Sequence, residues 1–281
     1  MRKRIIIGIC LLVALLAIAA ADASIGRPIL SVLAIFLMTA LAQREFIQMS
    51  SEKFLGPLLL TWISAAGAFA CRWFTEDGTI AWDVSNTLLL LTLGLMFANL
   101  LWATFRLHRT GEAESSVMLA GVLSLFAFVY VALPMGFLQQ IAIEKGVPFA
   151  ALMVLVSKCG DMGGYLVGSK IGRHRVMPNV SPKKSWEGSV GGLLLTLAVL
   201  FIAQRYDAGP LVHWSSSKIL VFGLSMNVAT QMGDFAESMV KRCFKVKDSG
   251  DILPTFGGAL DILDSLVFAM PVAAIFTCGI S

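Results

Sequence analysis

Two acidic residues lie at the start of an apolar segment near the C-terminus. Asp261 and Asp264 are three residues apart in GGALDILDSLVFAMPVAAIF, so a helix would carry both on one face. A carboxylate near the centre of a membrane-spanning helix costs about 2.5–3.5 kcal/mol. Acidic residues retained in such a segment therefore indicate a functional site.

Two further apolar segments carry charged residues at helical spacing. Asp234, Glu237 and Lys241 follow one another at i, i+3 and i+7, roughly one helix face. Lys158 and Asp161 are three residues apart in a glycine-rich stretch, where Gly160, Gly163, Gly164 and Gly168 predict close helix packing. Lys158 and Asp161 have two interpretations, an ion pair that neutralises itself and a part of the site.

The acids share one depth if these segments span a membrane. At 1.5 Å per residue, Asp261 and Asp264 lie within about 3–8 Å of the inner end of their helix. Asp234 lies about 8 Å and Asp161 about 12 Å from the inner ends of their own helices. Several carboxylates at one level cannot all be ionised without a cation, because like charges disfavour the ionised form. The oxygen-only ligand set predicts Mg²⁺.

Basic residues accompany the acids. Lys241, Arg242, Lys245 and Lys247 come where their helix reaches the inner surface. In SPKKSWEG (181–188), a helix-start pattern is followed by two lysines, which suits an anion. The alternative for this loop is an ordinary basic loop anchored by a tryptophan.

The composition predicts an all-α, polytopic integral membrane protein. The chain has 281 residues, 57% hydrophobic and 14% charged, with a mean hydropathy of +0.80. Its apolar runs are continuous and long enough to cross about 30 Å of hydrocarbon as helices. Nine spans are predicted, at 5–21, 28–43, 55–73, 86–105, 117–137, 147–169, 188–204, 217–239 and 259–277. The first also resembles a secretory signal peptide that ends in ADA.

The distribution of basic residues predicts the orientation. Of the 22 Lys and Arg residues, 16 fall in alternate connections that include the N-terminus, and three fall in the opposite connections. The positive-inside rule then places the N-terminus in the cytoplasm and the C-terminus outside. The net charge of +4 is thus explained by basic inner loops over anionic lipid, not by nucleic-acid binding. The five cysteines form no CxxC pair and indicate neither a zinc site nor a disulfide framework.

Three blocks of the sequence resemble the phosphatidate cytidylyltransferase, or CDP-diacylglycerol synthase, family. The block SMVKRCFKVKDSGDILPTFGGALDILD (238–264) resembles the family signature, while 158–174 and 181–188 match its other blocks in the same order. REFIQM (44–49) is a weaker match. The resemblance divides the chain into N-terminal scaffold helices with dimer contacts (1–150) and a C-terminal catalytic region (151–281).

The resemblance implies the conversion of CTP and phosphatidate to CDP-diacylglycerol and pyrophosphate with Mg²⁺, which a monovalent cation could accompany. It also implies a homodimer in a bacterial-type inner membrane, with the active site facing the cytoplasm. The residues it assigns to catalysis are Asp234, Lys241, Asp261 and Asp264, of which the three aspartates also bind the metal. Those it assigns to the substrates are Asp161, Ser181, Lys183, Lys184, Arg242, Lys247 and Asp248.

Two positions depart from the family pattern. Phe256 stands where the family usually has His, and Ile262 where it usually has Arg. An inactive homologue is therefore one alternative. A CDP-alcohol phosphotransferase is another, although GDMGGY and GDFAES lack the Ala-Arg of its DGxxAR-type motif. A cation-coupled transporter is a third, although its site would lie near the membrane midplane.

Overall fold

The computed structural model describes residues 17–18, 20–49, 125–178, 180–250 and 257–279, with isolated residues between 98 and 123. The helices with described bounds are α1 (Ile29–Met49), α2 (Leu133–Lys145), α3 (Val147–Ile171), α4 (Trp186–Arg205), α5 (Ser216–Cys243), α6 (Ala259–Leu263) and α7 (Leu266–Thr277). A π-helical turn (Phe128–Ala132) precedes α2, and a 3-10 turn (Gly209–His213) lies between α4 and α5. Strands β1 (Arg175–Met177) and β2 (Ser181–Ser185) form an antiparallel hairpin between α3 and α4.

Five helices in the described part are long and apolar enough to cross a membrane. They are Ile29–Met49, Leu125–Lys145, Val147–Ile171, Trp186–Arg205 and Ala259–Thr277. This confirms a helical protein with several membrane-spanning candidates, while the number nine and the orientation stay predictions. The predicted spans 55–73 and 86–105, and most of 5–21, lie outside the described residues. Helix α5 covers the predicted span 217–239 but is less apolar, because its buried side includes Asn227, Thr230 and Glu237.

The predicted fifth span, 117–137, ends too early. The helix continues to Lys145 and stops at Gly146, whose φ of 89° and following Pro148 mark the start of α3. Gln139, beyond the predicted end, is buried within the helix and donates through Nε2 to the carbonyl oxygen of Val32, at 3.4 Å.

The chain forms two compact units, one of Met1–Ile35 with Phe137–Ser281 and one of Phe36–Gly136. In the second unit, aromatic rings of Phe46, Phe126 and Tyr130 pack with centroids 5.4–6.3 Å apart. All the predicted site residues belong to the first unit. The predicted boundary at residue 150 stays a prediction.

Glycines bring α3 and α4 close together, as the sequence predicts. A Cβ on Gly163 would lie 2.6 Å from the carbonyl oxygen of Gly191, and one on Gly192 would lie 2.7 Å from that of Gly160. These distances leave no room for side chains at the contact. The spacing fixes the positions of polar residues on both helices.

Helix α5 joins this pair through hydrogen bonds. The hydroxyls of Ser157 on α3 and Thr230 on α5 are 2.9 Å apart, and Asn227 donates through Nδ2 to the carbonyl oxygen of Ser189 on α4 at 3.3 Å. The three helices therefore form one framework on which the acidic residues are carried.

The last predicted span, 259–277, coincides with the candidate span Ala259–Thr277 and contains a local break in its helical hydrogen bonding. The break is at Asp264 and Ser265, between α6 and α7, and both residues keep right-handed helical backbone angles. The Asp264 carboxylate accepts the backbone N–H of Ser265 at 2.5 Å, a local bond of the kind by which aspartate competes with helical hydrogen bonding. The carbonyl of Asp264 also packs directly against Gly233 of α5. The break places Asp264 against the acidic face of α5.

Candidate active site

Three carboxylates meet where α5 faces the break between α6 and α7. Asp234, Glu237 and Asp264 offer carboxylate oxygens that lie within 4.8 Å of one another. Asp234 and Glu237 are one turn apart on α5, so the helix directs both towards Asp264. We call these three residues the acidic cluster.

Glu237 is the most deeply buried member of the acidic cluster. It is 1% exposed, and its Oε1 has no hydrogen-bond donor among the described residues. A buried polar atom without a partner costs about 1–3 kcal/mol, more when it is charged. Glu237 therefore needs a cation or a proton beyond what the described residues supply.

Three lysines surround the acidic cluster. Lys184 from β2 forms an ion pair with Asp234, and Lys158 from α3 lies 3.2 Å from Oδ1 of Asp264. Lys241, one turn beyond Glu237 on α5, lies 2.7 Å from Oε2 of that residue. The lysines neutralise part of the charge that the acids bring together.

Lys241 also contacts Asp261, with Nζ 2.8 Å from Oδ1. Lys241 lies beyond the predicted span 217–239. Burial disfavours its ammonium form, but the hydrogen bonds to the carboxylates of Asp261 and Glu237 outweigh burial and raise its pKa above the ordinary value. Lys241 is therefore a fixed positive charge between the two acids.

Asp261 has a different environment from Asp264. Besides Lys241, its carboxylate accepts the backbone N–H of Gly258 at 2.7 Å, and the N–H and hydroxyl of Ser249 at 3.1 and 3.0 Å. These bonds cap α6 and hold the segment after α5. Asp261 is not among the three residues of the acidic cluster, and its role as a metal ligand stays a prediction.

A cavity of about 570 Å³ opens beside the acidic cluster. Its size falls within the range of small-molecule sites. Its lining includes glycines of α3, among them Gly164 and Gly168, together with charged residues from several elements. The charged residues that line it are Asp161, Arg175, Lys183, Lys184, Asp234 and Asp264.

Local hydrogen bonds hold the hairpin that carries the two lysines. Ser185 caps α4 by accepting the backbone N–H of Gly188 at 3.1 Å. Glu187 accepts the N–H groups of Arg173 and His174 at 3.1 and 3.2 Å, and its Oε1 lies 2.6 Å from Nδ1 of His174. These contacts tie the end of α3 to the start of α4 and so position β2 over the cavity.

The structure brings together most of the residues predicted for substrates. Asp161, Ser181, Lys183 and Lys184 line the cavity. Lys247 and Asp248 are exposed in the turn after α5 and do not line it, and neither does the exposed Arg242. Phe256 lies outside the described residues, and Ile262 is half-buried on α6. The assigned roles stay predictions.

Two contributions were missed from the sequence. Glu237 was on the predicted stripe of α5 but was not assigned to the site, although its i, i+3 spacing from Asp234 was the available indication. Lys158 had two interpretations, an ion pair with Asp161 or a part of the site, but Asp264 was not predicted as its partner; Nζ lies 4.0 Å from Asp161 and 3.2 Å from Asp264. The contact with Asp264 spans more than 100 residues and has no counterpart in local spacing.

These features define a helical membrane protein with an acidic, lysine-lined site beside a cavity of nucleotide size. The chain belongs to the Cytidylyltransferase family, whose profile matches residues 2–278. The family expected from the sequence is thereby confirmed.

Two of three similar relatives match most of the chain. A phosphatidate cytidylyltransferase of Staphylococcus saprophyticus is 30% identical over 236 residues, covering 84% of this chain and 85% of the relative. The Bacillus subtilis protein of that name is 30% identical over 245 residues, 84% of both chains. The one from Mycobacterium tuberculosis is 36% identical over 124 residues, 44% of this chain and 37% of the relative.

Proposed function

We propose that this protein is a phosphatidate cytidylyltransferase, which forms CDP-diacylglycerol and pyrophosphate from CTP and phosphatidate. The observation that carries the proposal is the acidic cluster with its lysines beside a 570 Å³ cavity, in a chain of this family. The relatives named above support the choice of phosphatidate as the acceptor.

The reaction requires control of charge more than acid–base chemistry. A phosphate oxygen of phosphatidate attacks the α-phosphorus of CTP, and a new P–O bond forms. The bond between the α-phosphorus and the oxygen bridging to the β-phosphorus breaks, and that oxygen leaves with pyrophosphate. The nucleophile is already ionised near neutral pH, so positioning and electrostatic stabilisation are the main requirements.

The acidic cluster fits Mg²⁺. Its donors are all carboxylate oxygens, which hard cations prefer, and the buried Oε1 of Glu237 lacks a partner among the described residues. We propose that Asp234, Glu237 and Asp264 hold the ion, with Asp261 positioning Lys241. Bound there, Mg²⁺ would supply positive charge to the phosphate oxygens.

The protein's own cations complete the site. Lys183 and Lys184 lie on the hairpin side of the cavity, where they can contact the triphosphate. Arg175 donates through Nη1 to the carbonyl oxygen of Lys183 at 3.0 Å and so holds the hairpin in place. These charges would oppose the repulsion between two anionic substrates and stabilise the leaving pyrophosphate.

The membrane context follows from the charge bias of the connections. We propose that the protein lies in a bacterial-type inner membrane with the site facing the cytoplasm, which supplies CTP, while phosphatidate enters laterally from the bilayer. A homodimer, and a monovalent cation beside Mg²⁺, remain part of the proposal.

Incorporation of radiolabelled CTP into lipid by the purified protein tests the function. We expect CDP-diacylglycerol to form only when phosphatidate and Mg²⁺ are both present, and EDTA to stop it. Asp264→Asn serves as the matched inactive variant, because it keeps the size of the side chain and removes its charge. A protein that folds and binds CTP but forms no CDP-lipid would favour the inactive homologue.

A further inference from the structure

Two lysines contact the acidic cluster from different sides. Lys158 is paired with Asp264 and Lys184 with Asp234. Lys184 lines the cavity, whereas Lys158 does not. This difference separates a lysine that holds the site together from one that lies where the substrate binds.

Lys158 holds Asp264 from behind the cavity. Its Nζ donates to Oδ1 of Asp264 at 3.2 Å and to the hydroxyl of Ser265 at 2.7 Å. The same Oδ1 accepts the backbone N–H of Ser265, while Oδ2 has no partner among the described residues. Lys158 therefore fixes one oxygen of Asp264 and leaves the other available for a cation.

Lys184 approaches from the cavity side. Among the described residues, Asp234 is the one acid paired with Lys184. The Nζ of Lys184 also lies 4.6 Å from the centroid of the Phe235 ring. That Nζ is buried, and its carboxylate partner within the described part of the chain is Asp234. If a cation takes over that carboxylate, the buried ammonium loses its partner at a cost, so Lys184 then gains from a phosphate in the cavity.

The ion-paired groups of the site contain more acids than lysines. Five carboxylates face three ammonium groups in these pairs, while Arg175 and Lys183 add positive charge elsewhere on the cavity lining. The acids are Asp161, Asp234, Glu237, Asp261 and Asp264, and the lysines are Lys158, Lys184 and Lys241. A divalent cation on Asp234 competes directly with Lys184, because both positive charges require the same carboxylate.

We propose that Lys184 is an exchangeable charge: a divalent cation displaces it from Asp234, and the released ammonium binds a phosphate of the nucleotide. Because Lys184 exchanges a carboxylate for a phosphate, the cation and the nucleotide then bind cooperatively. The inference rests on the proposed function. By linkage, each ligand strengthens binding of the other by the same factor.

The first test measures Mn²⁺ binding by electron paramagnetic resonance on the full chain in detergent, without nucleotide. Lys184→Met removes the competitor, so Mn²⁺ should bind more tightly than in wild type, by about 5–150-fold, the usual range for coupled sites. Lys183→Met is the matched control. It removes the same charge from the same hairpin and cavity, but Lys183 has no carboxylate partner among the described residues, so its effect on Mn²⁺ affinity reports general electrostatics and should be much smaller than that of Lys184→Met.

The second test measures CTP binding in EDTA, with no lipid present. Asp234→Asn should release Lys184 and strengthen CTP binding at least about fivefold. This gain should persist in the Lys183→Met background and vanish in the Lys184→Met background. The comparison is a double-mutant cycle between Asp234 and Lys184.

The outcomes separate the inference from the function. Equal Mn²⁺ affinities for Lys184→Met and Lys183→Met, in a wild-type protein that makes CDP-diacylglycerol, would overturn the exchange and leave the enzyme assignment intact. A gain from Asp234→Asn that is equal in both lysine backgrounds would also overturn it, since general electrostatics would then suffice. A wild-type protein that binds neither Mn²⁺ nor CTP would overturn both.

Discussion

Replacing Glu237 by Gln tests the least expected member of the acidic cluster. Gln keeps the size of the side chain and removes one carboxylate charge from the acidic cluster. The oxygens of the cluster lie within 4.8 Å of one another, so a cation among them lies at most about that far from the Glu237 carboxylate. At that distance even two unit charges interact by about 3.5 kcal/mol with an effective dielectric constant of 20. Cation desolvation and salt screening reduce this value, so we expect a loss of about 100-fold in metal affinity, or about 2.7 kcal/mol.

The assay is CDP-diacylglycerol formation across a Mg²⁺ titration. For Glu237→Gln, the half-saturating Mg²⁺ concentration should rise by about 100-fold, the equivalent of the estimated loss. The protein should still fold, because Lys241 retains Asp261 at 2.8 Å. Glu144→Gln is the control, since the exposed Glu144 accepts a hydrogen bond from Gln140 at 2.7 Å and does not line the cavity, and its Mg²⁺ curve should match wild type. An unchanged curve for Glu237→Gln would refute the placement of the cation on this residue.

Three further predictions concern neighbouring positions. Asp264→Asn should abolish turnover with a normal melting temperature. Asp261→Asn should abolish turnover and also lower the melting temperature, because it weakens the hydrogen bonds to Ser249 and Gly258. Equal melting temperatures for the two variants would contradict this difference. Lys183→Ala should raise the KM for CTP more than that for phosphatidate in steady-state assays, and a change in the lipid KM alone would reassign the hairpin to lipid capture. Ile262→Arg should lower the folded yield in detergent without raising specific activity, because an unpartnered guanidinium in a membrane helix is costly, and a several-fold gain in activity would show that the wild-type protein is impaired there.

The parts of the site that follow from local spacing could be predicted from the sequence. Asp234 and Glu237 share a face of α5 because both lie on one helix, and the glycines of α3 predicted its close approach to α4. The pairing of Lys158 with Asp264 could not be predicted in this way, because it depends on how α3 packs against a break in another helix. The break itself was missed, since the composition of 259–277 is continuous and only the Asp264 side chain interrupts the backbone bonding.

The separate roles of Asp261 and Asp264 show the same limit. Their spacing of three residues predicts one face of one helix, and the backbone angles at Asp264 and Ser265 stay helical. The two carboxylates nevertheless have different partners, Lys241 for Asp261 and Lys158 for Asp264. Identical residue types at helical spacing thus acquire different surroundings from tertiary structure alone.

The glycine wall of the cavity has a consequence for inhibition. Gly160, Gly164 and Gly168 line the cavity and also face α4, where an added Cβ on Gly168 would lie 3.1 Å from the Ser185 hydroxyl oxygen and 3.4 Å from the Gly188 Cα. A drug-like molecule resting on this backbone surface would contact no side chain that could be exchanged to weaken it. A resistant variant would have to add bulk at these glycines, and the same bulk would push α3 away from α4, which follows directly on the hairpin that lines the cavity. Resistance at this wall would therefore come at the expense of the enzyme's own assembly.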